Sequence, residues 1–175
     1  MKINFGCGND KRKGYINVDM SKQVKPDVVW DLEKTPLPFK DNSVTEILAF
    51  HVVEHVRNFI PLIHDFWRIS KNKSIIKVKT PFYSAWGQFN DPTHVRFFSP
   101  MTFNYFNKGN YSHQVGSNKD MFKIKKVRIN YGIGRLKKLN WLINPFLNFH
   151  QEFYCRFFAW ILPASEIEYE LEVIK

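Results

Sequence analysis

The spacing of apolar and polar positions changes character about two-thirds of the way along the chain. In the first part, short apolar runs alternate with turns and with one helical pattern. Residues 3–5, 15–18, 27–30, 46–50 and 74–78 read as five strands, the second running into Asp19, the third into Asp31 and the fifth stopped by Pro81. Pro36 and Pro38 mark a loop, and Asp41-Asn42-Ser43 marks a turn. Phe59, Leu62, Ile63, Phe66 and Ile69 recur at helical spacing and predict a helix over 59–69. Residues 100–106 predict a short helix, with Ser99 as its cap and Pro100 at its first position. Short strands alternating with helical segments imply an α/β protein built on a mostly parallel sheet.

The last third reads differently. Residues 122–130 form a strand pattern. Residues 167–173 alternate strictly as Ile-Glu-Tyr-Glu-Leu-Glu-Val, which is a strand with one wet or charge-paired face. Between them, residues 136–163 are dense in aromatics. Asn144 as cap, Pro145 as opener and Pro163 as terminator predict one helix over 146–162. There are no internal repeats and no low-complexity tract.

Composition narrows the class. A chain of 175 residues with 44% hydrophobic and 17% aromatic content suits one domain with a real core and excludes a disordered chain. No apolar run reaches bilayer length, and Met1-Lys2-Ile3 leads into a strand rather than a signal peptide. Two cysteines, Cys7 and Cys155, provide neither a disulfide framework nor a metal cluster, so a reducing cytoplasm is expected. The net charge of +10 is uneven: residues 108–138 hold nine Lys and Arg against Asp120 alone. Such a stretch suits nucleic acid, anionic lipid or an acidic substrate, or is a solvated face. No nucleic-acid-binding motif accompanies it, so nucleic acid is not the expected partner.

The chemistry concentrates near the first strand. "INFGCGND" drives an apolar run into Gly6, Cys7 and Gly8, and the second strand ends in a carboxylate, Asp19. Strand, Gly-x-Gly turn and strand-terminal acid form the plan of a nucleotide-binding unit, the acid accepting ribose hydroxyls. A dinucleotide is disfavoured: Lys11 stands where a third glycine would be, and Asp19 follows Gly6 by thirteen residues rather than about twenty. The intervening segment is too short for the helix that would hold a pyrophosphate. The expected ligand carries adenosine without a diphosphate.

Three segments in order, "INFGCGNDKRKGYINVDM", "VVWDLEKTPLPFKDNSVTEILAFHVVEH" and "DPTHVRFFSPMTF", resemble the class I S-adenosylmethionine-dependent methyltransferases, in their short type 11-like group. The resemblance covers residues 1–106 well and 121–131 with 166–175 loosely. It implies a Rossmann-like, mostly parallel sheet with an antiparallel last strand lying between strands five and six, the N-terminal helices being missing or shortened. It implies S-adenosylmethionine as cofactor and S-adenosylhomocysteine as product. Phe5, Gly6, Cys7 and Gly8 would lie against the methionyl end, Asp19 with Met20 at the ribose, Asp31 at the adenine amino group with Leu32 behind the ring, and Phe50 and His51 near the sulfonium. The glycine motif departs from the family pattern at Asn4 and Asn9.

The histidines admit two readings. "HVVEH" at 51–55 matches the zinc-peptidase pattern H-x-x-E-H, but it directly follows a strand and no third carboxylate ligand follows in a recognisable helix, so no metal is expected. His94, in the loop after the fifth strand, and His51 are the catalytic candidates, His94 as a base for an attacking hydroxyl or amine; alternatively His94 bonds Asp91 or a backbone carbonyl and braces its loop.

The whole reads as a single methyltransferase domain, 1–175, with an aromatic helical insertion at about 132–165. Lys77, Lys79, Lys123 and Lys125 should pair across the sheet with Glu168, Glu170 and Glu172. The insertion should leave from and return to the ligand edge of the sheet, with 136–163 forming an acceptor-side wall. Aromatics beside cations would suit a peripheral membrane contact, a lipid-linked acceptor or a second copy; a simple lid over a small-molecule pocket is the plainer option. The acceptor is a small molecule or lipid-linked group. A non-catalytic scaffold and an RNA methyltransferase using the basic stretch are the alternatives.

Overall fold

The computed structural model describes residues 1–109 and 111–175. Seven strands, β1 (Lys2–Phe5), β2 (Ile16–Asp19), β3 (Val28–Val29), β4 (Val44–Phe50), β5 (Ser70–Pro81), β6 (Phe122–Asn130) and β7 (Glu166–Val173), form one sheet in the order β3-β2-β1-β4-β5-β7-β6. The first five are mutually parallel, and β7 lies antiparallel between β5 and β6. This is the Rossmann-like topology expected from sequence. Helix α1 (Phe59–Ile69) has the bounds its periodicity predicts, with Phe59, Leu62, Ile63, Phe66 and Ile69 all buried. They pack on the sheet face presenting Ile3, Phe5, Ile47, Val78, Tyr169 and Leu171.

The other sheet face carries charge. Cross-strand partners are Lys77 with Glu170 and Lys79 with Glu168 from β5 to β7, and Lys123 with Glu172 from β7 to β6. The expected cation–carboxylate ladder is therefore present, but two details differ. A bulge between Ile124 and Lys126 puts Lys126 and Arg128 opposite Glu170 and Glu168, while Lys125 still pairs with Glu172 at 3.6 Å. Lys77 turns to Glu46 on β4 at 3.1 Å, while Lys79 bridges Glu166 at 3.1 Å and Glu168 at 3.2 Å. Lys2, Lys77 and Tyr15 all hydrogen-bond Glu46, and against its partial burial they hold that carboxyl down at about 2.

Other boundaries shift for local reasons. β5 begins at Ser70 directly after α1 and runs through to Pro81, so it is much longer than its apolar core 74–78. β3 shrinks to two residues. The segment after Pro100 is a 3-10 turn, Thr102–Phe106, and Ser99 does not cap it; the Ser99 amide instead donates to the Thr102 hydroxyl.

The insertion departs most from expectation. After the short α2 (Trp86–Asn90) in the loop beyond β5, the insertion is two helices, α3 (Asn140–Phe149), which contains Pro145, and α4 (Gln151–Phe157), whose Phe153 amide is capped by the His150 ring. Their polar residues have a specific job. β6 is an edge strand, and such an edge exposes unpaired backbone groups. Asn140 binds Gly132 through both N–H and C=O, Asn144 accepts from Tyr131, Asn148 pairs both groups of Ile129 at 2.8 Å, and Gln151 donates to Val127. Side chains three and four residues apart on one helical face thus stand in for an eighth strand. The segment is edge cover first. From α4 onward it also reaches the segment after β5: the Tyr83 hydroxyl donates to the Cys155 carbonyl at 2.7 Å, Tyr154 stacks on Phe82 at 5.9 Å, and Trp160 lies 5.8 Å from Tyr83 and 6.3 Å from Phe89.

Asn148→Ala removes four hydrogen bonds, two of them to Ile129, and leaves a strand amide and carbonyl without their protein partner. Urea unfolding should show a loss of roughly 1–3 kcal/mol, and Asn148→Asp, keeping only the acceptor, should fall between. An unchanged midpoint for the Ala variant would contradict the edge-cover role.

Candidate functional site

The carboxyl ends of the first four strands meet at a cavity of about 610 Å³, within the range of small-molecule sites. Its wall includes Gly6, Gly8, Asp19, Met20, Asp31, Leu32 and His51, all sequence candidates from four separate segments. Trp30, Glu33, Val52, His55, Val56 and Thr93 complete it and were not singled out as cofactor contacts. Their signal was only adjacency to candidate positions.

Three other candidates lie elsewhere. Phe5 is fully buried and stacks on Phe66 of α1 at 4.9 Å, so it is core. Cys7 is also buried; its amide donates to the Val18 carbonyl and closes the β1–β2 turn. Burial pushes its thiol pKa up. Phe50 points to the charged sheet face, where the Arg12 guanidinium sits 5.3 Å from its ring. A strand alternates sides, so Phe50 faces away from the core that holds Ala49.

The glycines divide by cause. At Gly6 (φ +62°) an added Cβ would meet Val52 Cβ and Cγ2 at 2.4 Å. The thing that approaches closely is the protein's own side chain, from the segment just beyond β4. At Gly8 (φ +46°) an added Cβ would meet nothing within 4 Å among the described residues. That backbone faces open space in the cavity wall. Asp19 ties the turn down: one carboxylate oxygen accepts from the Gly8 amide at 2.9 Å, the other from Ser21 at 2.8 Å. Asp31 accepts from Glu33 at 3.0 Å in an Asx turn. Glu33 in turn accepts from the Arg57 and Asn58 amides at 2.7 and 2.9 Å. A carboxylate at the start of α1 is stabilised there by the helix dipole.

His51 occupies the left-handed region (φ +52°), unusual for a residue with a side chain. Its Nε2 lies 2.9 Å from Glu166 and its Nδ1 3.5 Å from Glu54. Glu166 and then Glu54 hold the imidazolium form, and its pKa is pushed up to about 9. A cationic ring donates protons and has no lone pair to accept one, so at neutral pH His51 is not a base. His94 is not in the cavity wall. Its ring lies against His55, 4.7 Å between centroids, with Nδ1 3.1 Å from the Gln88 carbonyl. His94 thus braces the loop through a backbone carbonyl, one of the two expected braces, while Asp91 bonds mainly Thr93 and lies 3.8 Å from His94 Nε2. Arg96, from the same loop, donates to the Val56 carbonyl at 2.9 Å and so fastens the loop beside α1.

The Gly6 contact makes a direct prediction. Gly6→Ala places a methyl group against Val52 in a backbone conformation that favours glycine. Thermal unfolding should show a clear loss of stability, and adding Val52→Gly should recover part of it. If Gly6→Ala alone melts like the parent chain, the close approach is not a constraint.

No protein-family model matches the chain, and no curated protein matches it by sequence. Solved structures do. An S-adenosylmethionine-dependent methyltransferase from Archaeoglobus fulgidus superposes with a TM-score of 0.65 at 17% identity, covering 98% of this chain and 85% of that one. The cyclase SpnF gives 0.62 at 14%, covering 99% and 74%. An S-adenosylmethionine-dependent methyltransferase from Mesorhizobium loti gives 0.54 at 13%, covering 98% and 89%. At such identities the likeness is one of fold, and a cyclase among these structures illustrates that fold does not define reaction. The chain has the class I methyltransferase fold.

Proposed function

We propose that this chain is an S-adenosylmethionine-dependent methyltransferase acting on a small-molecule or lipid-linked acceptor. The observation that carries the reading is the convergence of Gly6, Gly8, Asp19, Met20, Asp31, Leu32 and His51 on one cavity at the carboxyl edge of the sheet. The fit is chemical as well as spatial. The Gly8 backbone has room beside it, and each Asp19 oxygen accepts only one backbone amide, which leaves acceptor capacity for two ribose hydroxyls. Asp31 can accept from an adenine amino group while Leu32 offers apolar surface to the ring. When bound, S-adenosylmethionine supplies a methyl group activated on a sulfonium. The chain's part is to hold that ligand and the acceptor in line, and positioning of this kind can supply most of the rate. The cationic His51 adds positive charge to the cavity wall, while its two N–H groups are directed at Glu166 and Glu54.

Asp19→Ala should weaken S-adenosylhomocysteine binding at least tenfold by calorimetry, since hydrogen bonds to a charged group contribute about 1.5–3 kcal/mol each. Some stability should be lost too, because the Gly8 tether goes with the carboxylate. Unchanged affinity in a folded variant would remove Asp19 from the site.

The acceptor side is read from the insertion. α3 turns its asparagines to β6 and leaves Trp141, Leu142, Phe146 and Phe149 exposed, with Trp160 and Ile161 exposed beyond α4. Arg135, Lys137 and Lys138 are exposed immediately before it. No helix among the described residues is long and apolar enough to cross a membrane. Aromatics flanked by cations fit the surface of an anionic membrane, which would present a lipid-linked acceptor to the adjoining aromatic groove of Tyr83, Phe89, Phe97 and Trp160. The full chain should cosediment with phosphatidylserine-containing vesicles and lose most of that binding in Trp141→Ala/Phe149→Ala. Equal binding by parent and variant, or a dimer that the double variant dissociates, would overturn the membrane reading.

A further inference from the structure

The Val53–His55 turn carries a carboxylate in an unusual state. Glu54 is fully buried, and neither of its oxygens has a hydrogen bond among the described residues. Its nearest cationic group, His51 Nδ1, stands off at 3.5 Å. Burying a carboxylate without hydrogen bonds is costly, so the arrangement calls for a counter-charge.

Two imidazoles face it. His55 Nδ1 lies 2.8 Å from the Thr93 hydroxyl, and that hydroxyl lies 2.5 Å from an Asp91 oxygen. The carboxylate can only accept, so the hydroxyl proton goes to Asp91 and the Thr93 oxygen accepts from His55 Nδ1–H. Nε2 is then the His55 nitrogen left for another partner. His94 is arranged alike: Nδ1, 3.1 Å from the Gln88 carbonyl, must donate, which leaves Nε2, 3.8 Å from Asp91, for another partner. Each ring is thus oriented by a hydrogen bond at its far nitrogen, as the rings of metal-binding histidines are. The ligand-type atoms of Glu54, His55 and His94 all lie within 4.8 Å of one another. Three potential ligand groups thus converge on one point.

We propose that Glu54, His55 and His94 bind a divalent cation of the zinc class, on a two-histidine, one-carboxylate set. Three protein ligands leave a fourth position open. This differs from the peptidase reading of H-x-x-E-H, since His51 faces Glu166 and Glu54 and takes no part. It also departs from the sequence expectation of no metal, and it makes His94 a ligand rather than a base. His55 and Thr93 belong to the cavity wall, so the ion would sit at its rim and pin the loop after β5 to the end of β4. The site stands independently of the cofactor reading.

The test uses the full chain, stripped with a chelator and dialysed. Zinc affinity is measured by competition with a chelating dye, and Co²⁺ is added to read coordination from its visible absorption. The expected result is saturable binding of one ion per chain. His55→Ala and His94→Ala should each weaken zinc at least about tenfold, with His113→Ala and His150→Ala unchanged. Circular dichroism checks folding, and His55→Asn at the half-exposed ring serves if His94→Ala does not fold. Absence of saturable zinc binding in the parent chain, or parent-like affinity in a folded His55 variant, overturns the proposal. S-adenosylhomocysteine binding, measured separately, distinguishes failure here from failure of the methyltransferase reading.

Discussion

The contact between Gly6 and Val52 organises the rest of the molecule. It brings the turn after β1 against the segment leaving β4, so close that no side chain fits at position 6. From that contact the chain beyond β4 is committed to a path on which His51 takes a left-handed conformation and reaches Glu166 at the start of β7. Val53 and Glu54 go inward, and His55 returns to the rim. The floor of the cavity, the ion pair that links β4 to β7 and the histidine cluster all follow from one close approach. Asp19 completes the arrangement from β2 by holding the Gly8 amide.

What the primary structure made legible follows from periodicity and from locality. α1 was readable to the residue because its five apolar positions all face one core. β7 was readable because its glutamates alternate with buried residues, and its place beside β5 was readable from the lysines there. Asp19, Asp31 and the glycines could be grouped because strand ends in such a sheet meet at one edge. The failures come from interactions with no local signature. Phe5 and Phe50 flank the site in sequence, yet Phe5 stacks on Phe66 and Phe50 lies on the charged face. The β6 bulge brings Lys126 and Arg128 opposite Glu170 and Glu168 beside the expected Lys125–Glu172 pair, and no residue type announces it. In the insertion, aromatic density drew attention, while the informative residues were polar. Asn140, Asn144, Asn148 and Gln151 lie at helical spacing, and a stripe of amides is the signal that a helix is to bond a backbone edge.

The two histidine clusters separate by their partners. His51 lies between Glu166 and Glu54 and is held cationic. His55 and His94 are oriented instead through Nδ1 by a hydroxyl and a backbone carbonyl. Glu54 sits between the two clusters and can be compensated by either, by the imidazolium on one side or by a bound cation on the other. The fold thus concentrates its unusual electrostatics within a few residues of the cavity, where polar strain is worth carrying only if something binds.

Hydrogen–deuterium exchange with and without S-adenosylhomocysteine tests the central claim most directly. The account requires new protection in peptides spanning 5–9, 18–21, 30–34 and 50–56, the four segments that build the cavity, and little change over 140–151, which covers the β6 edge. Tight binding with protection confined to the insertion or the charged sheet face, or no protection at a saturating concentration, would contradict it.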